Sequence, residues 1–394
     1  MKWLKKLTYI FTILVVGFTP LDAIEINEGS GITMGRYLFI TMTACALFSK
    51  NLIPKKISSF AKPLLIFTVW AYATTIWSIN QDVTIARCMY LIQYLIIVSV
   101  MCNVLTTSRR VSLAMAAWAV GACYIAYKTA TDYSINMTST EGVYRVSAFG
   151  NPNENSFMLV YGLIMCYLID RTKTRWPSLA MTAYSVFAII ANGSRMGIIL
   201  FVVAVAGLCI SLWQSRKRTY VILLIPVIIA FGSYILDNIP SATLMRIMGI
   251  TDDIETGSLA HRETIWASAF KALSYHESYY VIGSGWGTFP LVIKDFCYAA
   301  MGAHNFYLDV LVTTGTIGLG IVLYYFTRLF IIIRNTPKAT IINYLMLFLP
   351  LISMASTNWQ SRRWWFMMGV FIYLIYSTKN LHETEPARPV ESHD

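Results

Sequence analysis

The chain has 394 residues, is 56% hydrophobic and 13% charged, and has a mean hydropathy of +0.57. A soluble domain carries about 25% charged residues, so the composition excludes an ordinary soluble globular protein and points to a membrane protein. The net charge of +11 does not indicate nucleic acid, because the basic residues lie in short loops and form no basic, aromatic-interleaved face.

Apolar runs long enough to cross ~30 Å of hydrocarbon predict twelve spans. They lie at 7–23, 32–49, 63–79, 87–105, 111–129, 153–170, 177–193, 196–213, 219–236, 304–327, 339–357 and 363–378. Within lipid each segment must satisfy its own backbone groups, so the spans are helices. The expectation is an all-α polytopic membrane protein forming one membrane domain over 1–394. Lys2, Lys5 and Lys6 ahead of an apolar run, followed by Asp22-Ala23, fit either an uncleaved first helix or a signal peptide. The uncleaved helix is the expectation; cleavage would leave eleven spans in the same orientation.

Charge sets the orientation. With the N-terminus inside, the inner segments hold 20 of the 31 basic residues and five of the 20 acidic ones. By the positive-inside rule both termini are expected in the cytoplasm. Two outer connections are long, about 130–152 and 237–303. In the second, Trp266, Phe270 and Leu273 fall at i, i+4 and i+7, which predicts an amphipathic helix over 261–274. It either lies on the outer membrane surface or is an ordinary packed loop helix.

Ionisable groups close to a bilayer are costly, so each is a functional candidate. Before the sixth span, Asn151-Pro152-Asn153 suits a helix start, with Asn151 as cap; contact with a sugar is the sharper alternative. Arg195, in Gly193-Ser194-Arg195, occupies a tight turn between two spans. It is placed to bind phosphate bidentately, or else to snorkel at the interface. Arg262 near it would complete a clamp for a diphosphate; the alternative is an ion pair with Glu263. His304 can hold a neutral imidazole near pH 7 and take a proton from a hydroxyl, or serve as a structural cap. Asn305 and Asp309 share a helix face and can orient a basic group or bind sugar hydroxyls, or form a structural pair.

Gly283-Ser284-Gly285-Trp286-Gly287 permits close backbone approach but lies in no strand–loop–helix unit, so it is not a nucleotide loop. Gly315, Gly318 and Gly320 suggest close helix packing. Six cysteines lie in apolar runs and Cys297 stands alone in the outer loop. With no Cys/His ligand spacing, neither a disulfide framework nor a zinc site is expected.

Together these pieces form a pattern: Gly-Asn-Pro-Asn at 150–153, Gly-Ser-Arg at 193–195, Arg262 with Trp266 four later, Gly-Ser-Gly-Trp-Gly at 283–287, and His304-Asn305, nine residues, then Gly315-x-x-Gly318. It resembles the O-antigen ligase and O-antigen polymerase superfamily of bacterial membrane glycosyltransferases, over about 145–325. The His-Asn and Gly-x-x-Gly spacing is the most specific piece, and the first five spans match in hydropathy alone. The resemblance implies a GT-C-like helical bundle in the inner membrane, with its active site on the periplasmic face. The implied donor is an undecaprenyl-diphosphate-linked glycan, and the acceptor a lipid A-core sugar or a lipid-linked glycan. No metal or other cofactor is implied. By the same resemblance Arg195 and Arg262 hold the diphosphate and His304 acts as base or positions the acceptor. Asn305, Asp309, Asn151 and Asn153 become candidate sugar contacts. Arg246, followed by Gly257, has the Arg-x10-Gly spacing of the polymerases. The His motif favours a ligase over a polymerase. A lipid-linked glycan flippase is the reading from another class; it would spread charge through the bundle interior.

Overall fold

The structure is a computed structural model. It describes residues 2–22, 24–26, 32–52, 61–137, 151–169, 176–214, 262–297, 301–336 and 340–354, with isolated positions at 222, 226, 229, 232–233, 367–370 and 373–374. These residues form helices α1 (Lys2–Phe18), α2 (Met34–Phe48), α3 (Ala61–Ala73), α4 (Gln81–Val104), α5 (Ser108–Met137), α6 (Pro152–Ile169), α7 (Trp176–Ala191) and α8 (Arg195–Gln214). They continue with α9 (Arg262–Tyr275), α10 (Ser278–Ile282), α11 (Phe289–Ile293), α12 (Phe306–Arg334) and α13 (Ile341–Met354). Among the described residues, five segments, Lys2–Leu21, Gln81–Val104, Ser108–Asp132, Arg195–Gln214 and Phe306–Arg334, are long and apolar enough to cross a membrane. Of the expected spans, 219–236 and 363–378 lie largely outside the described residues.

Polar caps fix several helix starts. Asn80 Oδ1 accepts from Val83 N at 3.1 Å, with Asp82 in the first turn of α4; both features suit the positive helix N-terminus. Helix α6 is the axis of the bundle. It is buried continuously from Glu154 to Tyr167, as a helix apolar all round must be, and packs on α5, α7 and α8. Helix α8 in turn packs on α13, and α3 on α4 and α12.

Helix α12 departs from the expected single span at 304–327. At Gly315 the backbone turns to φ 71°, ψ −176°, dividing it into legs 306–314 and 316–334. A straight helix rising 1.5 Å per residue would hold Phe306 and Phe326 ~30 Å apart. Both instead line one apolar cavity of about 30 Å³, along with Leu64, Phe67, Tyr94 and Tyr325. The first leg therefore folds back beside the second and returns Phe306 to the interior of the bundle.

A second, smaller core joins the outer-loop helices to that leg. Ile265, Ala269, Ala272 and Leu273 of α9 pack with Phe289, Val292 and Ile293 of α11 and with Leu308 and Val312 of α12. The expected amphipathic helix is present, but its buried stripe is rotated from the expected Trp266–Phe270–Leu273 face: Phe270 is 51% exposed. Helix α9 thus packs on protein along one side, as an ordinary loop helix does.

Candidate active site

The site begins where α6 and α8 cross. Gly197 has no side chain, and a Cβ there would stand 2.5 Å from Ser156 Cβ; the two helices therefore approach closely at their first turns. Ser194 Oγ, fully buried, donates to Asn153 Oδ1 at 2.8 Å and accepts from Gly197 N at 3.0 Å. Asn192 Nδ2 donates to Ser156 Oγ at 3.2 Å. Asn151 Oδ1 accepts from Asn153 N at 2.9 Å and caps α6. The Asn-Pro-Asn segment and the Gly-Ser-Arg turn, about forty residues apart in sequence, are thereby one hydrogen-bonded unit. It ends on the half-buried Arg195. In this unit the Oδ1 atoms of Asn151 and Asn153 hold the scaffold.

Arg262 opens α9. Burial pushes its pKa down, and the Arg195 charge pushes it further; an effect of one charge on another at this level requires nearness. Among the described residues no ion pair ties Arg262 to Glu263 or to another acid. One turn on, Trp266 Nε1 donates to Ala303 O at 2.9 Å, which ties α9 to the residue before His304.

His304 lies just outside α12, two residues before its first turn. Its φ is 47°, in the left-handed region that residues other than glycine adopt at a cost of about 1–2 kcal/mol. Burial lowers its pKa, and the Arg262 charge lowers it further, so the imidazole is neutral at pH 7. Asn305 is the helix cap, its Oδ1 accepting from Tyr307 N at 3.0 Å and Leu308 N at 3.2 Å. Asp309 is 1% exposed on the same leg, and Tyr307 Oη donates to Leu351 O at 3.2 Å. Arg262 therefore lies within electrostatic reach of both Arg195 and His304, and the three come from separate elements. Arg246 lies outside the described residues. Among the described residues no three His, Cys, Asp or Glu side chains converge as a metal site would need.

Residues 180–323 match the O-antigen ligase family model. Over these residues, just over a third of its length, the chain is similar to that family. No curated protein and no solved structure matches it. The match takes in Arg195, Arg262, the glycine loop and the whole His304-to-Gly318 pattern. The fold gives this sequence pattern a physical meaning. Asn305 caps the first leg of α12, the nine residues that follow are that leg, and Gly315 makes the break. There Gly315 needs its positive φ, and a Cβ would stand 2.1 Å from Val281 O. At Gly318 a Cβ would collide with the Thr314 side chain, whereas Gly320 faces open space and is no packing contact.

Sequence reading missed two parts of the candidate site's surroundings. Ser194 and Asn192 are small polar residues whose burial no periodicity reveals. The partners of the glycine loop lie near residue 75, more than 200 positions away: Trp77 Nε1 donates to Gly283 O at 3.2 Å, and Trp286 N donates to Thr74 Oγ1 at 3.0 Å. The tryptophans at 70 and 77 were the available signal, since an indole N–H at the end of an apolar run usually finds a partner.

Proposed function

We propose that the protein is an inverting glycosyltransferase that moves a glycan from undecaprenyl diphosphate to an acceptor hydroxyl at the periplasmic face of the inner membrane. The observation that carries this reading is the convergence of Arg195 and Arg262 beside a neutral His304. The Arg195 charge disfavours the charged form of Arg262, so an anion of two charges lying with both guanidinium groups is bound favourably. A diphosphate supplies that anion and accepts both forks. As the glycosidic bond to the lipid diphosphate breaks, negative charge grows on the departing phosphate, where fixed cations in a partly dry site stabilise it most. His304 takes or directs the proton of the incoming hydroxyl, which attacks the anomeric carbon from the opposite side and inverts it.

The acceptor assigned is a lipid A-core sugar, which makes the protein an O-antigen ligase. Joining lipid-linked repeats, as a polymerase does, is the second reading; the spacing of Arg246 and Gly257 favours it. Complementation separates the two. In a strain lacking its ligase, the protein is expected to restore polymer on lipid A-core. Restoration of chain length in a strain lacking only its polymerase would assign the polymerase instead.

A further inference from the structure

The chemistry above leaves unused the contacts around the break in α12. A helix leaves its last carbonyls without amide partners, and at Gly315 this happens in the middle of the element. Each of the three carbonyls before the break is met from outside. Val312 O accepts from Ser284 N at 3.0 Å and from Ser284 Oγ at 3.1 Å, Thr313 O from Gly285 N at 3.0 Å, and Thr314 O from Trp70 Nε1 at 2.9 Å. Backbone meets backbone here as well: a Cβ on Gly283 would stand 2.3 Å from Thr313 O. The loop that supplies these donors is itself fastened to the α3–α4 turn, where Ile79 N donates to Ser284 O at 3.0 Å. It continues back through α10 to α9, the helix that Arg262 begins.

We propose that Ser284 and Trp70 are positioning residues for glycan transfer, clasping the first leg of α12 so that His304 at its far end stands in register with Arg262. The inference rests on the transfer reading above. The leg is nine residues, ~13 Å long. The clasp holds one end, and the hydrogen bond from Trp266 to Ala303 holds the chain just beyond the other. A tilt of roughly 4° about the clasp moves the far end by about 1 Å, and a displacement of that size costs an enzyme up to about a hundredfold in rate. Neither Ser284, which is fully buried, nor Trp70 has a part in the proposed chemistry, so loss of their hydrogen bonds acts on turnover through geometry.

The test uses the full chain in liposomes with an undecaprenyl-diphosphate-linked O-glycan as donor and the acceptor identified by complementation. Ser284→Ala and Trp70→Phe are each expected to lower kcat by about tenfold or more while donor KM stays within about twofold. Amide exchange at Ser284 and Gly285 should speed up in both. If Ser284→Ala fails to fold, Trp70→Phe decides, since it removes the indole donor and keeps an aromatic ring at a partly buried site. Transfer lost in His304→Ala but unchanged in Ser284→Ala and Trp70→Phe overturns this inference alone. A raised KM at unchanged kcat also overturns it, because the clasp would then serve binding. No transfer by the wild-type protein overturns the transfer reading together with it.

Discussion

At the scale of single residues, the proposed function turns on three side chains, Arg262 and the two groups within its electrostatic reach, Arg195 and His304. Arg195→Ala and Arg262→Ala are each expected to reduce transfer by at least about a hundredfold, the usual loss when a donor aimed at developing charge is removed. Arg262→Lys keeps the charge but not the fork, so its activity should fall between wild type and Arg262→Ala. Rate assays at saturating donor check both expectations. The pH profile is a separate check. His304 acts as a base only when neutral, and its pKa lies below the ordinary 6.5, chiefly from burial and further from Arg262. The acid limb of the profile should therefore lie below that of an ordinary histidine, with activity lost as pH drops through the lowered value. Arg262→Gln removes the second cause, so the titration of the His304 ring should move upward, though not fully back to 6.5. Histidine-selective NMR, assigned with His304→Ala, reads that shift. A titration unmoved by Arg262→Gln would separate the two residues.

At the scale of elements, the broken helix and the α6–α8 crossing carry the argument. Gly315→Ala forces a side chain into a left-handed position against Val281 O and should destabilise the protein by at least about 1–2 kcal/mol. Gly320→Ala, in open space on the same helix, should be neutral or stabilising by up to about 1 kcal/mol. Thermal unfolding in detergent compares them, and equal melting temperatures would contradict the break. Ser194→Ala should cost about 1–2 kcal/mol, since Asn153 Oδ1 and Gly197 N both lose their partner. Element spacing was legible in the sequence because hydropathy reports the length of an apolar run. The break was not, because each leg is apolar and the run reads as one helix; only the two glycines hinted at it. The buried stripe of α9 was misplaced for a related reason. Phe270 is the larger apolar residue, but Ala269 and Ala272 fit between helices and Phe270 does not.

At the scale of the whole molecule, composition made the membrane class legible and motif order made the ligase resemblance legible; loop charge sets an expected orientation. The sequence could not show that Asn153 and Ser194 bond across forty residues, or that the turn near residue 75 holds the glycine loop. Such pairings are set by tertiary packing and leave no local periodicity. They matter because the candidate site is assembled: Arg195 comes from one helix crossing, Arg262 from a loop helix, and His304 from the start of a folded-back leg. Reporter fusions after residues 106, 215 and 337 should report cytoplasm, and fusions after residues 79 and 276 the periplasm; reversed signals would put the site on the wrong side for a lipid-linked donor. The central claim is met most directly by reconstituted transfer from an undecaprenyl-diphosphate-linked glycan, comparing the wild-type protein with Arg195→Ala, Arg262→Ala and His304→Ala at matched folding. Transfer by the wild type and its loss in all three variants is the expected result. Undiminished transfer in the three variants would contradict the account.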